Sequence, residues 1–371
     1  MKSTNESSGA GPDRNEPVSI ESQGAFFVAG EFNGSDTMSG QMYVQYQFPS
    51  ARVHDTPLVL IHGGGQTGAG FISTPDGRPG WADFYVRRGF AVYVVDLPSS
   101  GRSQGHESCG KPRAAGEVLQ RVNHSGATGT WPQVNLQTQW PDGAAEVSGS
   151  DNDVFRQFYA SQVSAPMSVA TFELDARRAG AALVDRIGPA VLIAHSLGAS
   201  VAWHIADERP NLVDSIVAVE PTGPPVHELI YTDEGRFADG PTVRPWGITE
   251  APLTYSPAVS RADELVFERT PPTREDHAPY WLQRAPARSL PNLAEVRIAI
   301  VSGEASYHAP YDFGTSEYLK QAGVLNDFIE LASWGIRGNG HMMMLEKNNL
   351  RIAALIEDWI LGSLELVDPR D

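Results

Sequence analysis

The stretch Val191-Leu-Ile-Ala-His-Ser-Leu-Gly-Ala-Ser200 constrains the fold more than any other part of the chain. Residues 191–194 form an unbroken apolar run, the pattern of a strand buried on both faces. His195, Ser196, Leu197 and Gly198 follow, and 199–206 then read as a helix. A strand, a tight turn and a helix with serine at the apex lift the hydroxyl clear of a sheet. Small residues around the apex let the backbone bend that sharply. Ala194 stands where G-x-S-x-G would have its first glycine. The same bend puts the Leu197 N–H at a helix N-terminus, where an anion is stabilised.

Other apolar runs alternate with helical patterns around this stretch. Segments 26–32 and 41–48 read as two antiparallel strands, the second with Met42, Val44 and Tyr46 two residues apart. Segments 58–61, 90–95, 216–219, 296–301 and 328–334 read as further strands. Segments 80–88, 171–187, 311–322 and 352–361 carry apolar residues at helical spacing. This order predicts a mostly parallel α/β sheet covered on both faces. Ligands in such sheets bind beyond the carboxyl ends of the strands. Gly64, Asp96, Ser196, Glu220 and His341 each follow a predicted strand, so one rim should collect them.

The remaining segments divide the chain. Residues 1–23 are polar, lack an apolar signal core and read as a disordered tail. Segments 24–221 and 293–371 are the expected core, with an insertion over 104–166 that is too long for a simple connection. The Pro-rich segment 222–292, with scattered aromatics, reads as a cap. No apolar stretch is long enough to span a bilayer. A net charge of −17 argues against a nucleic-acid partner. The single Cys109 excludes an internal disulfide and fits a reducing, cytoplasmic location. No clustered cysteines or histidines suggest a structural metal, and no cofactor is expected.

A serine hydroxyl needs a base, and the base needs an orienting acid. His341, in Gly338-Asn-Gly-His-Met-Met-Met344, is the expected base, with His308 second. His195 lies beside the serine and points the wrong way along the turn. Met342, Met343 and Met344 offer adaptable apolar packing near the base. Glu220, which ends an apolar run and precedes a proline, is favoured as the acid; Glu304, after the next strand, is the alternative. The oxyanion requires preorganised N–H donors. Leu197 supplies one, and the His62-Gly63-Gly64-Gly65 loop supplies the other, Gly64 ahead of Gly65. Segment 96–103 is expected at the pocket floor or as an ordinary turn. Trp131, Trp140, Phe155, Phe158 and Tyr159 are expected either at a substrate pocket or in the core.

These motifs resemble the α/β-hydrolase superfamily: the glycine-rich loop, the His-Ser-Leu-Gly turn and a C-terminal histidine occur in its chain order. Segments 62–68, 74–81, 131–133, 139–141, 155–161 and 220–225 are similar to a bacterial carboxylesterase branch with a glutamate after strand six. The resemblance spans roughly residues 24–363. It implies Ser196 as nucleophile, His341 as base, Glu220 as acid, and cofactor-free hydrolysis of a small-molecule ester. The expected substrate is a medium-sized, partly apolar ester or lactone. C–C bond hydrolysis, perhydrolysis and a non-catalytic ligand-binding module are the alternatives on the same fold. Pairing into a homodimer is a further expectation. Asp96-Leu-Pro-Ser-Ser100 departs from the Gly-Arg-Gly-like turn of related chains, which opens the question of substrate.

Overall fold

Each strand of the central sheet delivers alternate side chains to two apolar layers. In Leu58–Ile61, Leu58 and Leu60 enter one core and Val59 and Ile61 the other. Burying one such side chain contributes about 1.5–3 kcal/mol. A one-residue slip would exchange the two sets, so packing specifies the register. The structure, a computed structural model, describes residues 17–32, 34, 37–103, 110–111, 113–118, 131–141 and 152–364. Cys109, much of the expected insertion and residues 1–16 of the expected tail lie outside the described residues.

The sheet strands are β1 (Ile20–Val28), β2 (Met42–Pro49), β3 (Leu58–Ile61), β4 (Val92–Asp96), β5 (Ala190–His195), β6 (Val213–Val219), β7 (Arg297–Ser302) and β8 (Asn326–Glu330). Their spatial order is β1-β2-β4-β3-β5-β6-β7-β8. β2 runs antiparallel to β1 and β4; every other neighbouring pair is parallel. The chain steps from β3 to β4 on one side and returns to β5 on the other. That reversal opens a crevice at the carboxyl ends of β3 and β5, where α/β sheets bind ligands.

Helices Trp81–Arg87 and Asn349–Ile360 cover one face, tied together by Trp81 Nε1 donating to the Asn349 carbonyl at 2.9 Å. Helices Val169–Ile187, Leu197–Glu208 and Asp312–Gln321 contribute to the other core. Among the described residues, no helix is long and apolar enough to cross a membrane.

Two strand expectations are corrected, at β1 and at β8. β1 begins at Ile20, inside the segment read as tail, because Glu21 and Gln23 sit on the outer side of an edge strand while Ile20 and Phe26 face inward. It stops at Val28, where Ala29 (φ 53°) and Gly30 (φ 90°) turn the chain. Glu31–Phe32 then pairs with Met38–Ser39 as a separate ribbon. β8 ends at Glu330; Leu331–Trp334 is a 3₁₀ turn, stopped by Gly335 at φ 67°. The Pro-rich segment folds as two hairpins, His227–Tyr231 with Phe237–Thr242 and Phe267–Thr270 with Tyr280–Gln283.

Candidate active site

Ser196 joins β5 to the helix Leu197–Glu208 with φ 53° and ψ −121°. A non-glycine residue there is strained, and such strain concentrates at functional sites. Neighbouring backbone bonds impose the conformation. Ser196 N–H donates to the Val219 carbonyl at 3.0 Å, and its own carbonyl accepts from Ala199 N–H at 2.9 Å and Thr222 N–H at 3.2 Å. A side chain at Gly198 would place its Cβ 2.6 Å from the His62 carbonyl oxygen, so the turn needs glycine there.

The glycine-rich loop after β3 presses on this turn. A Cβ at Gly63 would lie 3.0 Å from Ser196 Cβ, and one at Gly64 would lie 3.3 Å from Leu197 Cδ2. Gly65 adopts φ 77°, and its carbonyl accepts Val163 N–H at 2.9 Å. His62 braces the loop: Nδ1–H donates to the Gly63 carbonyl at 2.8 Å, and Nε2 accepts Leu97 N–H at 3.0 Å. Burial lowers the His62 pKa, which favours the neutral ring this pattern requires. Leu197 opens its helix, and the first N–H groups of a helix have no intrahelical acceptor.

His341 Nδ1–H donates to Glu220 Oε2 at 2.6 Å, joining residues 121 apart in the chain. Glu220 follows β6 at φ 46° and is fully buried. Its Oε1 accepts Gly303 N–H at 2.9 Å, and its Oε2 also accepts the Ser306 hydroxyl at 2.7 Å. Burial pushes this carboxyl up, to about 8, while His308, Ser306 and Gly303 pull it down. His195 Nε2–H donates to the His341 carbonyl at 2.9 Å, linking the end of β5 to the histidine loop. Burial drives the His195 pKa down to about 3, so its ring is neutral. Glu304 lies elsewhere: it accepts Gly338 N–H at 2.8 Å and pairs with exposed Arg337 at 2.9 Å.

A second buried carboxylate holds the histidine loop. Glu346 accepts Gly340 N–H at 2.8 Å, Asn339 Nδ2 at 2.6 Å and Gln137 Nε2 at 3.2 Å. Burial pushes its carboxyl up to about 7. The folded chain therefore keeps a proton that the unfolded chain has already lost above the ordinary carboxyl range. Stability falls as pH rises through that window, by about 3 kcal/mol at most for a shift of this size. We expect Glu346→Gln to show a smaller drop in melting temperature between pH 5 and pH 8 than the parent. An unchanged difference would place the titration elsewhere.

The other expected site residues separate into two groups. Trp131 packs against Tyr231, Phe237, Tyr307 and Tyr311 with ring centroids 5.5–6.5 Å apart. Tyr307 meets the His341 ring edge-on at 4.9 Å, so this aromatic group reaches the site. Trp140 and Phe158 instead pack edge-to-face at 5.4 Å inside the core, and Phe155 is buried with them. Of the two expected placements, pocket or core, these three side chains take the core. Helix Asp153–Ala160 turns Val154, Phe155 and Phe158 inward, leaving half-exposed Tyr159 to donate to the Arg113 carbonyl at 2.9 Å. Asp96 ties down its own turn, accepting Gly68 N–H at 2.8 Å and Arg102 Nε at 2.7 Å. Burial pushes its carboxyl up, but Arg102 and the backbone donors hold it below the ordinary range.

His62, Ser306, Tyr307 and the brace at Glu346 were not singled out from the sequence. Only the glycines beside His62 hinted at its role. Glu220, His308 and His341 bring one ligand atom each within 4.8 Å of one another, the only such group among the described residues. Both imidazole Nδ1 atoms already meet carboxylates, an arrangement of acid–base pairs.

A parallel sheet, a strained serine between β5 and its helix, and a histidine–carboxylate pair on the following loops define an α/β-hydrolase. The sequence profile of the alpha/beta hydrolase family matches residues 58–355, and the chain belongs to that family. It is 41% identical over 337 residues to a protein described as probable secreted lipase phiG, from Fungal sp. (strain ATCC 74256). That match covers 90% of this chain and 88% of the relative. A bacterial esterase structure superposes with a TM-score of 0.58 at 22% identity, covering 94% of this chain and 98% of the other.

Proposed function

We propose that the protein is a serine carboxylester hydrolase acting through an acyl-enzyme. The observation that carries this reading is the buried 2.6 Å His341–Glu220 bond at the rim that also presents strained Ser196. Ser196 Oγ attacks the ester carbonyl as His341 Nε2 takes its proton. Glu220 holds His341 in the tautomer with Nδ1 protonated, so that Nε2 carries the lone pair and acts as base. The N–H groups of Leu197 and Gly64 stabilise the oxyanion, with Gly65 next to them. Breakdown releases the alcohol after His341 returns the proton to it, and water then cleaves the acyl-enzyme by the same route. The aromatic group around Trp131 and Tyr307 favours a medium-sized, partly apolar ester or lactone as substrate.

The relative of 41% identity, named as a lipase, supports ester chemistry for this chain. That relative is also described as secreted, whereas the lone cysteine favours a reducing compartment such as the cytoplasm. Fractionation of source cells decides between the two locations. The activity is tested with p-nitrophenyl esters from acetate to octanoate and with a fluorophosphonate probe. We expect turnover, an optimum at intermediate chain length and a covalent adduct on Ser196. Folded protein that hydrolyses none of the series and takes no label would overturn the reading.

A further inference from the structure

A second imidazole–carboxylate pair stands against the first. His308, after β7, is buried and lies flat on His341, with ring centroids 4.5 Å apart and planes 5° from parallel. Its Nδ1–H donates to Asp312 Oδ1 at 2.9 Å, at the start of helix Asp312–Gln321. The Ser306 hydroxyl oxygen accepts His308 N–H at 3.1 Å while its proton goes to Glu220. One serine therefore locks the two pairs in register. The aromatic contacts of Tyr307 and Tyr311, with centroids 4.3 Å and 4.8 Å away, complete the packing around His308.

Resting on the triad proposed above, we propose that His308 is a positioning residue that stabilises the imidazolium form of His341 by covering it with a neutral aromatic face. When the serine proton moves to His341 Nε2, positive charge appears on a ring sealed from water. An aromatic face within about 6 Å attracts a cation, and more strongly where both are desolvated. The role requires His308 to stay neutral, because two stacked cations would repel. Burial and the charge of Arg244 hold its pKa down to about 4, although Glu220 pulls upward. Asp312 orients the ring through Nδ1, turning its flat face to His341. The groups facing this pair are Glu220 after β6, His195 at the end of β5, Arg244 from the 222–292 segment, Asp312, and the Tyr307 and Tyr311 rings.

The test compares His308→Leu, which removes the aromatic face, with His308→Phe, which keeps it. The readout is the pH profile of fluorophosphonate labelling at Ser196, supported by p-nitrophenyl butyrate kcat/KM and a melting curve. Removing the face destabilises protonated His341, so the acidic limb should move to lower pH by about one unit, with about tenfold slower labelling at the plateau. His308→Phe should keep the limb within a few tenths of a unit of the parent. A His308→Leu protein with an unmoved limb overturns the proposal, as does a His308→Phe limb displaced as far as that of His308→Leu. If His308→Leu does not fold, His308→Gln replaces it with the same expectations; if neither folds, the ring is a structural brace and the proposal falls. Absence of labelling in the folded parent is a separate outcome, because it removes the triad itself.

Discussion

Ser196→Ala is expected to lower kcat/KM for p-nitrophenyl butyrate by about 10⁵–10⁶-fold, the cost of losing the nucleophile in a serine hydrolase. Its melting temperature should stay close to that of the parent. The bonds that hold the turn use the backbone of residue 196, through Val219, Ala199 and Thr222, and alanine retains all of them. Both residues meet the same strain at φ 53°. The substitution thus removes the reacting oxygen and leaves its setting intact. Residual catalysis over water should remain at about 10³–10⁴-fold, supplied by the oxyanion donors and by binding. Fluorophosphonate labelling should vanish. A variant that keeps even a hundredth of the parent rate would mean that another group performs the attack.

The rim was legible in the sequence because burial on both faces writes 58–61 and 190–194 as unbroken apolar runs, each followed by histidine and then glycine or serine. Ser196, His341 and the glycine loop could therefore be placed without coordinates. β1 was hidden by its edge position: alternate residues of Ile20–Val28 are exposed, so its start reads as polar tail. The aromatics of the insertion were ambiguous for another reason. Phe158 and Tyr159 are adjacent in sequence, yet helix geometry buries the first and leaves the second half-exposed. His308 was visible only as a spare base, because a stacked ring leaves no trace in residue spacing. Glu220 and Glu304 each follow a strand, and only the path of the loop between Gly338 and His341 separates them in space.

That separation makes Glu220→Gln against Glu304→Gln the most informative pair of single substitutions. We expect Glu220→Gln to lose about 10⁴-fold in kcat, as when a triad carboxylate becomes an amide. Three donors converge on Glu220: Gly303 N–H, the Ser306 hydroxyl and His341 Nδ1–H. A glutamine accepts through one oxygen only. With its NH₂ toward Gly303, two buried donors face each other, at a cost of about 1–3 kcal/mol. With its NH₂ toward His341, the imidazole must accept at Nδ1 and carry its proton on Nε2, so the lone pair that should receive the serine proton is gone. Either arrangement disables the base, one by displacing it and the other by reversing its tautomer. Glu304→Gln keeps an oxygen for Gly338 N–H and gives up only a pair with exposed Arg337, an interaction worth about 0–1 kcal/mol. Its kcat should stay within about threefold of the parent, because such a loss at the surface leaves His341 where it was. Full activity in Glu220→Gln would show that the buried bond is structural. A matching loss in Glu304→Gln would show that the placement of Gly338, rather than the charge on Glu220, governs the base.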